Sequence, residues 1–171
     1  MLMNIRPLRY RLRFFSTPPA FILLLAFVIT LTCADSALAQ KKVKLKQADQ
    51  LRSGKDKEGT KFQRVIGNVV FTQNRTTIYC DSAYFFKEKN SIEAFGRIRI
   101  TEGDSITITG NKLEYDGNNK KAKLRNNVVF TKLETSTLYT DFLDFDRPKN
   151  TAYYFNGGRL VDSINVLTSR K

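Results

Sequence analysis

Gly67-Asn68-Val69-Val70-Phe71-Thr72 returns further along the chain as Gly96-Arg97-Ile98-Arg99-Ile100-Thr101, and again as Asn126-Asn127-Val128-Val129-Phe130-Thr131. The copies lie 29 and then 30 residues apart, and self-similarity at a fixed period marks a repeat architecture. Turn-forming residues keep the same beat. Gln73-Asn74-Arg75, Glu102-Gly103-Asp104 and Leu133-Glu134-Thr135 form one series. The stretch from Lys87 to Asn90, Asp116-Gly117-Asn118-Asn119 and Arg147-Pro148-Lys149-Asn150 form the other. Gly, Pro, Asn and Asp at such places reverse the chain. Between turns lie segments of about ten residues rich in Val, Ile, Thr, Tyr and Phe, with apolar residues at period two. These are strands rather than helices, and short turns make neighbouring strands antiparallel. The expected architecture is an all-β, up-and-down meander of long strands.

The copies also sort side chains between two faces. Val69, Ile98 and Val128 are equivalent, as are Phe71, Ile100 and Phe130, and all six are apolar. The residues between them, Val70, Arg99 and Val129, are mixed, so the apolar parity is the interior one. In the returning strands the interior positions are read as Tyr79, Ile108 and Leu138, then Tyr84, Leu113 and Leu143, then Phe86, Tyr115 and Phe145. The parity flips partway along each, so one extra residue is expected near Asp81, Gly110 or Asp141, as in a β-bulge. The other strand type shows no flip. Ile92, Ala94, Ile98 and Ile100 share one parity, as do Ala122, Leu124, Val128 and Phe130, with Gly96 or Asn126 at the bendable midpoint. A sheet creased along such midpoints folds over on itself, apolar side inward, and encloses a lengthwise groove.

Ahead of the repeats, Arg6, Arg9, Arg11 and Arg13 precede an apolar or small stretch from Ala20 to Cys33, and Ala37-Leu38-Ala39 offers small residues for a signal peptidase. The expectation is a signal peptide over 1–39, helical while it lasts and cleaved after Ala39; the alternative is a retained anchor. The chain then divides into a basic N-terminal arm with a partial first repeat over 40–64 and the repeats proper over 65–171. Of 29 Lys/Arg and 16 Asp/Glu, four and one fall in 1–39, leaving 25 and 15 and a net charge of +10. Such a chain associates with polyanions. Outside the cytoplasm these are phosphorylated glycolipids and membrane surfaces rather than nucleic acid. With Cys33 in the signal, Cys80 stands alone and cannot form an internal disulfide.

The repeat unit, Gly67-Asn68-Val69-Val70-Phe71-Thr72 and then Tyr79-Cys80-Asp81-Ser82-Ala83-Tyr84, resembles that of the OstA-like family of lipopolysaccharide-transport proteins. Gln47-Ala48-Asp49-Gln50-Leu51, Gly110-Asn111-Lys112-Leu113-Glu114-Tyr115-Asp116 and Gly157-Gly158-Arg159-Leu160-Val161 also fit it. The resemblance implies a β-jelly-roll, or folded taco, that holds lipid acyl chains inside. It further implies end-to-end strand contacts with copies of itself or with other components of the transport machine, in the periplasm. Each interior residue named above then either lines the lipid or packs on its neighbours in a dry core.

The chain has no histidine and one mature cysteine, which argues against catalysis, cofactors and a zinc site. Asp141, Asp144 and Asp146 form the tightest acidic cluster, but the glycine-containing calcium loop is missing. Two readings remain. One is a carrier or bridge for lipopolysaccharide or a similar glycolipid; the other is a structural or adhesive exported repeat protein with a sealed core.

Overall fold

The computed structural model describes residues 42–133 and 135–170; the signal segment, its helix and the cleavage point after Ala39 lie outside the described residues. The strands are β1 (Lys44–Gln47), β2 (Gln50–Lys55), β3 (Lys61–Gln73), β4 (Thr76–Phe86), β5 (Ser91–Glu102), β6 (Ile106–Asp116), β7 (Lys121–Lys132), β8 (Ser136–Asp146), β9 (Thr151–Tyr154), β10 (Gly158–Val161) and β11 (Val166–Ser169). They form one antiparallel sheet in which β3 to β8 are neighbours in space as in sequence. No helix occurs among the described residues.

Every long strand is interrupted at its middle. In β3, β5 and β7 two consecutive residues take positive φ: Gly67-Asn68, Gly96-Arg97 and Asn126-Asn127. Opposite each pair the partner strand spends one unpaired residue, Asp81 in β4, Asn111 in β6 and Asp141 in β8. Two inserted residues preserve a strand's parity and one inverts it. That arithmetic explains why the inward parity flips in the even strands and persists in the odd ones. Against β5 the extra residue of β6 is Asn111 rather than Gly110, which pairs with Ile98 and is itself buried.

The line of interruptions divides the sheet into two leaves, and the edges make the division plain. β2 pairs with the first half of β3 and β1 with its second half. At the far side β9 pairs with the second half of β8 and β10 with its first half, and β11 continues outward from β10. The basic stretch over 40–64 is therefore built into the sheet from Lys44 onward. Leu45 sits beside Phe71 as its register partner, and the β2–β3 turn closes through Asp56 N–H to Thr60 O (2.9 Å) and Thr60 N–H to Asp56 Oδ1 (2.7 Å). The core lies between the leaves: its buried apolar side chains retain 0–7% of their accessible surface.

Candidate functional site

The interior is assembled as rows that run across the strands. One row joins Leu45, Phe71, Ile78, Ile100, Ile108, Phe130 and Leu138 through successive register pairs. On the facing leaf Val65, Ala83, Ala94, Leu113, Leu124 and Leu143 form another. Rings meet between leaves: Phe71 and Phe85 at 5.3 Å, and Phe130 and Phe145 at 5.8 Å. These edge-on and tilted contacts are the arrangements aromatic pairs prefer.

Twelve of the fifteen interior positions read from the sequence face inward: Val69, Phe71, Ile98, Ile100, Ile108, Leu113, Tyr115, Val128, Phe130, Leu138, Leu143 and Phe145. Tyr79, Tyr84 and Phe86 do not. β4 buries Ile78, Cys80, Ala83 and Phe85 and turns those three aromatics to the outer face. The cause is one turn. Two residues separate β3 from β4, whereas three separate β5 from β6 and β7 from β8. The 29-residue interval that relates Val69 to Ile98 therefore becomes 30 between Ile78 and Ile108. Carrying 29 past the turn slips β4 by one residue, and a one-residue slip moves a whole strand's side chains to the other face. Counting the turn residues exposes the slip in the sequence itself. The outer aromatics accept cations instead: Arg99 lies 4.6 Å over Tyr79, Arg64 5.7 Å over Tyr84 and Lys89 5.7 Å over Phe86.

Opposite the crease, the two rows of turns meet along a seam held by polar contacts. Val43 N–H donates to Asn90 Oδ1 (2.8 Å), Gln73 Nε2 to Gly117 O (2.7 Å) and Tyr115 OH to Gln73 Oε1 (2.6 Å). Further along, Arg147 pairs with Glu102, which also accepts from Thr76. Burial pushes the Tyr115 phenol up to about 12. Among the described residues nothing covers the two ends of the groove. Leu51, a register partner of buried Val65, is 50% exposed. Leu167, a register partner of Leu160, is 61% exposed.

The acidic cluster is dispersed among separate tasks. Asp141 accepts from Asn127 N–H at the crease (3.1 Å), Asp144 pairs with Arg125 (2.8 Å) and Asp146 with Lys121 (3.3 Å). Cys80 is buried, and desolvation raises its thiol to about 12.

A repeat sheet creased lengthwise, with an apolar lining and a hydrogen-bonded seam, defines a β-jelly-roll of the trough type. The family model described as OstA-like protein matches residues 40–171, and the chain belongs to that family. Among solved structures it is similar in fold to LptH of Pseudomonas aeruginosa, described as the LptA-homologous periplasmic component of the conserved lipopolysaccharide transport device. That likeness has a TM-score of 0.57 at 15% identity and covers 67% of this chain and 82% of LptH. A comparison with curated proteins found no match.

Proposed function

We propose that this protein is a periplasmic carrier or bridge for lipopolysaccharide or a similar glycolipid, holding acyl chains between its leaves and passing them toward the outer membrane without altering them. The observation that carries this reading is the unbroken apolar lining from β3 to β8, with apolar side chains exposed at both ends among the described residues. Membership of the OstA-like family and the fold shared with a lipopolysaccharide-transport component support it. In this reading residues 1–39 are an export signal removed after Ala39. In it, too, the edges at β1, β2, β9 and β11, which pair with no further strand among the described residues, accept strands from further copies or from other components of the machine.

The energetics are compatible with entry along the seam. Among the described residues it is held by the three neutral hydrogen bonds and the one charged pair named above, with others beside them. At about 0.5–1.5 kcal/mol for each neutral bond and 1.5–3 for the charged one, breaking these four contacts costs roughly 3–8 kcal/mol, to which parting the leaves adds the cost of the apolar surface it exposes. An acyl chain burying ten methylenes offers about 8 kcal/mol.

Photo-crosslinking amino acids at Phe71, Ile100 and Phe130 test the assignment in the native envelope. They are expected to capture glycolipid, while the outward Arg99 captures none. Capture of glycolipid at Arg99 and of protein alone at the three inner positions removes the proposal. The tight ring contact of Phe71 with Phe85 favours a second reading, a structural repeat protein whose core stays sealed. That reading expects bare protein in native mass spectrometry after gentle extraction.

A further inference from the structure

The two ends of the groove differ in chemistry. Where β9, β10 and β11 end the sheet, the inward positions Ala152, Tyr154, Gly158, Leu160, Leu167 and Ser169 carry no charge. Where β2 and β3 begin it, a pocket of about 440 Å³ is rimmed by Lys55, Lys61 and Lys87, with Gln63 on its wall and Phe85 within. Phe85 belongs to the core and touches Phe71 of the facing leaf. The pocket therefore leads from three ammonium groups, past one amide, to the apolar lining.

A second observation sets these lysines apart. Same-sign partners on the outer face, Arg52 with Arg64, Glu93 with Glu114 and Lys112 with Arg125, stand beside opposite-sign ones such as Glu114 with Lys123, whereas Lys55 and Lys61 lie on the inward parity of Leu51 and Val65. Lys55 and Lys61 are direct register partners of the same sign, which disfavours the pairing. Among the described residues none of the three lysines forms an ion pair with a carboxylate, and the one acid on the pocket wall is Glu88. Residues that break a local rule without a compensating contact are expected where function requires them.

We infer that this end of the groove is a headgroup subsite for a phosphorylated amphiphile, with the phosphate among Lys55, Lys61 and Lys87 and the adjoining acyl stem against Phe85. The inference rests on the lipid-carrier reading and adds to it a recognition element and a direction. The polar head is held at the β2–β3 end and the tails run into the lining. Lysine ammonium groups suit this task as point charges for phosphate.

The test compares binding of bisphosphorylated lipid A, of the same lipid stripped of phosphate, and of inorganic phosphate alone. It uses the purified protein and its Lys55→Gln/Lys61→Gln/Lys87→Gln variant, at low salt. The protein is expected to prefer the phosphorylated lipid by roughly tenfold, equivalent to about 1.4 kcal/mol, with the preference shrinking as salt rises. The triple variant is expected to bind both lipids as the unaltered protein binds the stripped one, and the corresponding Lys→Arg triple variant to regain the preference. Lys123→Gln is expected to leave it intact. A triple Lys→Gln variant that keeps the preference overturns the subsite while the carrier reading stands. Inorganic phosphate bound as tightly as the lipid overturns the headgroup assignment in favour of a small-anion site. If neither lipid binds the unaltered protein, the carrier reading fails and the subsite with it.

Discussion

Gly96 and Arg97 hold φ of +73° and +31° at the crease of β5, and the two residues meet that demand differently. Glycine has no side chain to strain, while Arg97 is tied down by its guanidinium, which pairs with Asp81 at 2.8 Å. A Cβ built on Gly96 would stand 2.5 Å from Asp81 Oδ2. Gly96→Ala is accordingly expected to destabilise the fold by about 1–2 kcal/mol or more, from left-handed strain joined to crowding, as read by urea unfolding. Asp81→Asn, which loses an exposed ion pair, is expected to cost under about 1 kcal/mol. Two other residues make stability depend on pH. Burial raises Cys80 from 9.0 and Tyr115 from 10.0, both to about 12. In each case the folded state keeps the proton longer than the unfolded chain does. Their contribution is thus complete below about pH 9 and is lost as pH rises toward 12. Urea midpoints taken from pH 8 to 11.5 are expected to fall along that limb, less steeply in Cys80→Ala. The Cys80 thiol is also expected to resist alkylation at pH 8 until the protein is denatured.

At the scale of the strand, the period and the alternation were legible because both are repeated three times: twelve inward positions follow from them, as do the parity flips. What escaped was the length of a single turn. Asn74-Arg75 is a two-residue link where its counterparts have three, and the alternation does not announce the difference, because Tyr79, Tyr84 and Phe86 are large aromatics that suit either face. Both faces of β4 carry large side chains, so the choice between them is made by pairing geometry. The difference is measurable. Ile78→Asp, which places a charge in the closed core, is expected to cost more than about 4 kcal/mol or to prevent folding. Tyr79→Asp gives up only outer packing and a cation–π contact with Arg99, and is expected to cost about 1 kcal/mol. Denaturant unfolding of the pair separates the two registers, since the slipped one reverses their order. The pocket lysines were illegible for a related reason. Residues 40–64 hold only a fragment of the repeat, so the facing of Lys55 and Lys61 follows from the hairpin and not from any copied pattern.

Across the whole described sheet, the seam is the weak line and the crease the strong one. The crease is covalent, crossing each long strand once, whereas the seam depends on a few polar contacts such as those of Gln73. Gln73→Ala deprives Tyr115 OH and Gly117 O of these bonds and is expected to cost about 1–3 kcal/mol. In the lipid-carrier reading it also speeds acyl uptake, checked by stopped-flow with a fluorescent fatty-acyl probe. Because each unit carries its own crease and its own pair of turns, the spacing between the leaves does not depend on how many units are strung together. One cassette of about 30 residues adds two strands at about 4.8 Å each, hence roughly 10 Å of length at unchanged leaf spacing. Duplicating or deleting a whole cassette therefore lengthens or shortens the folded sheet without changing its register. A loss of half a cassette reverses every downstream strand, and a loss of one residue within a strand turns its lining outward.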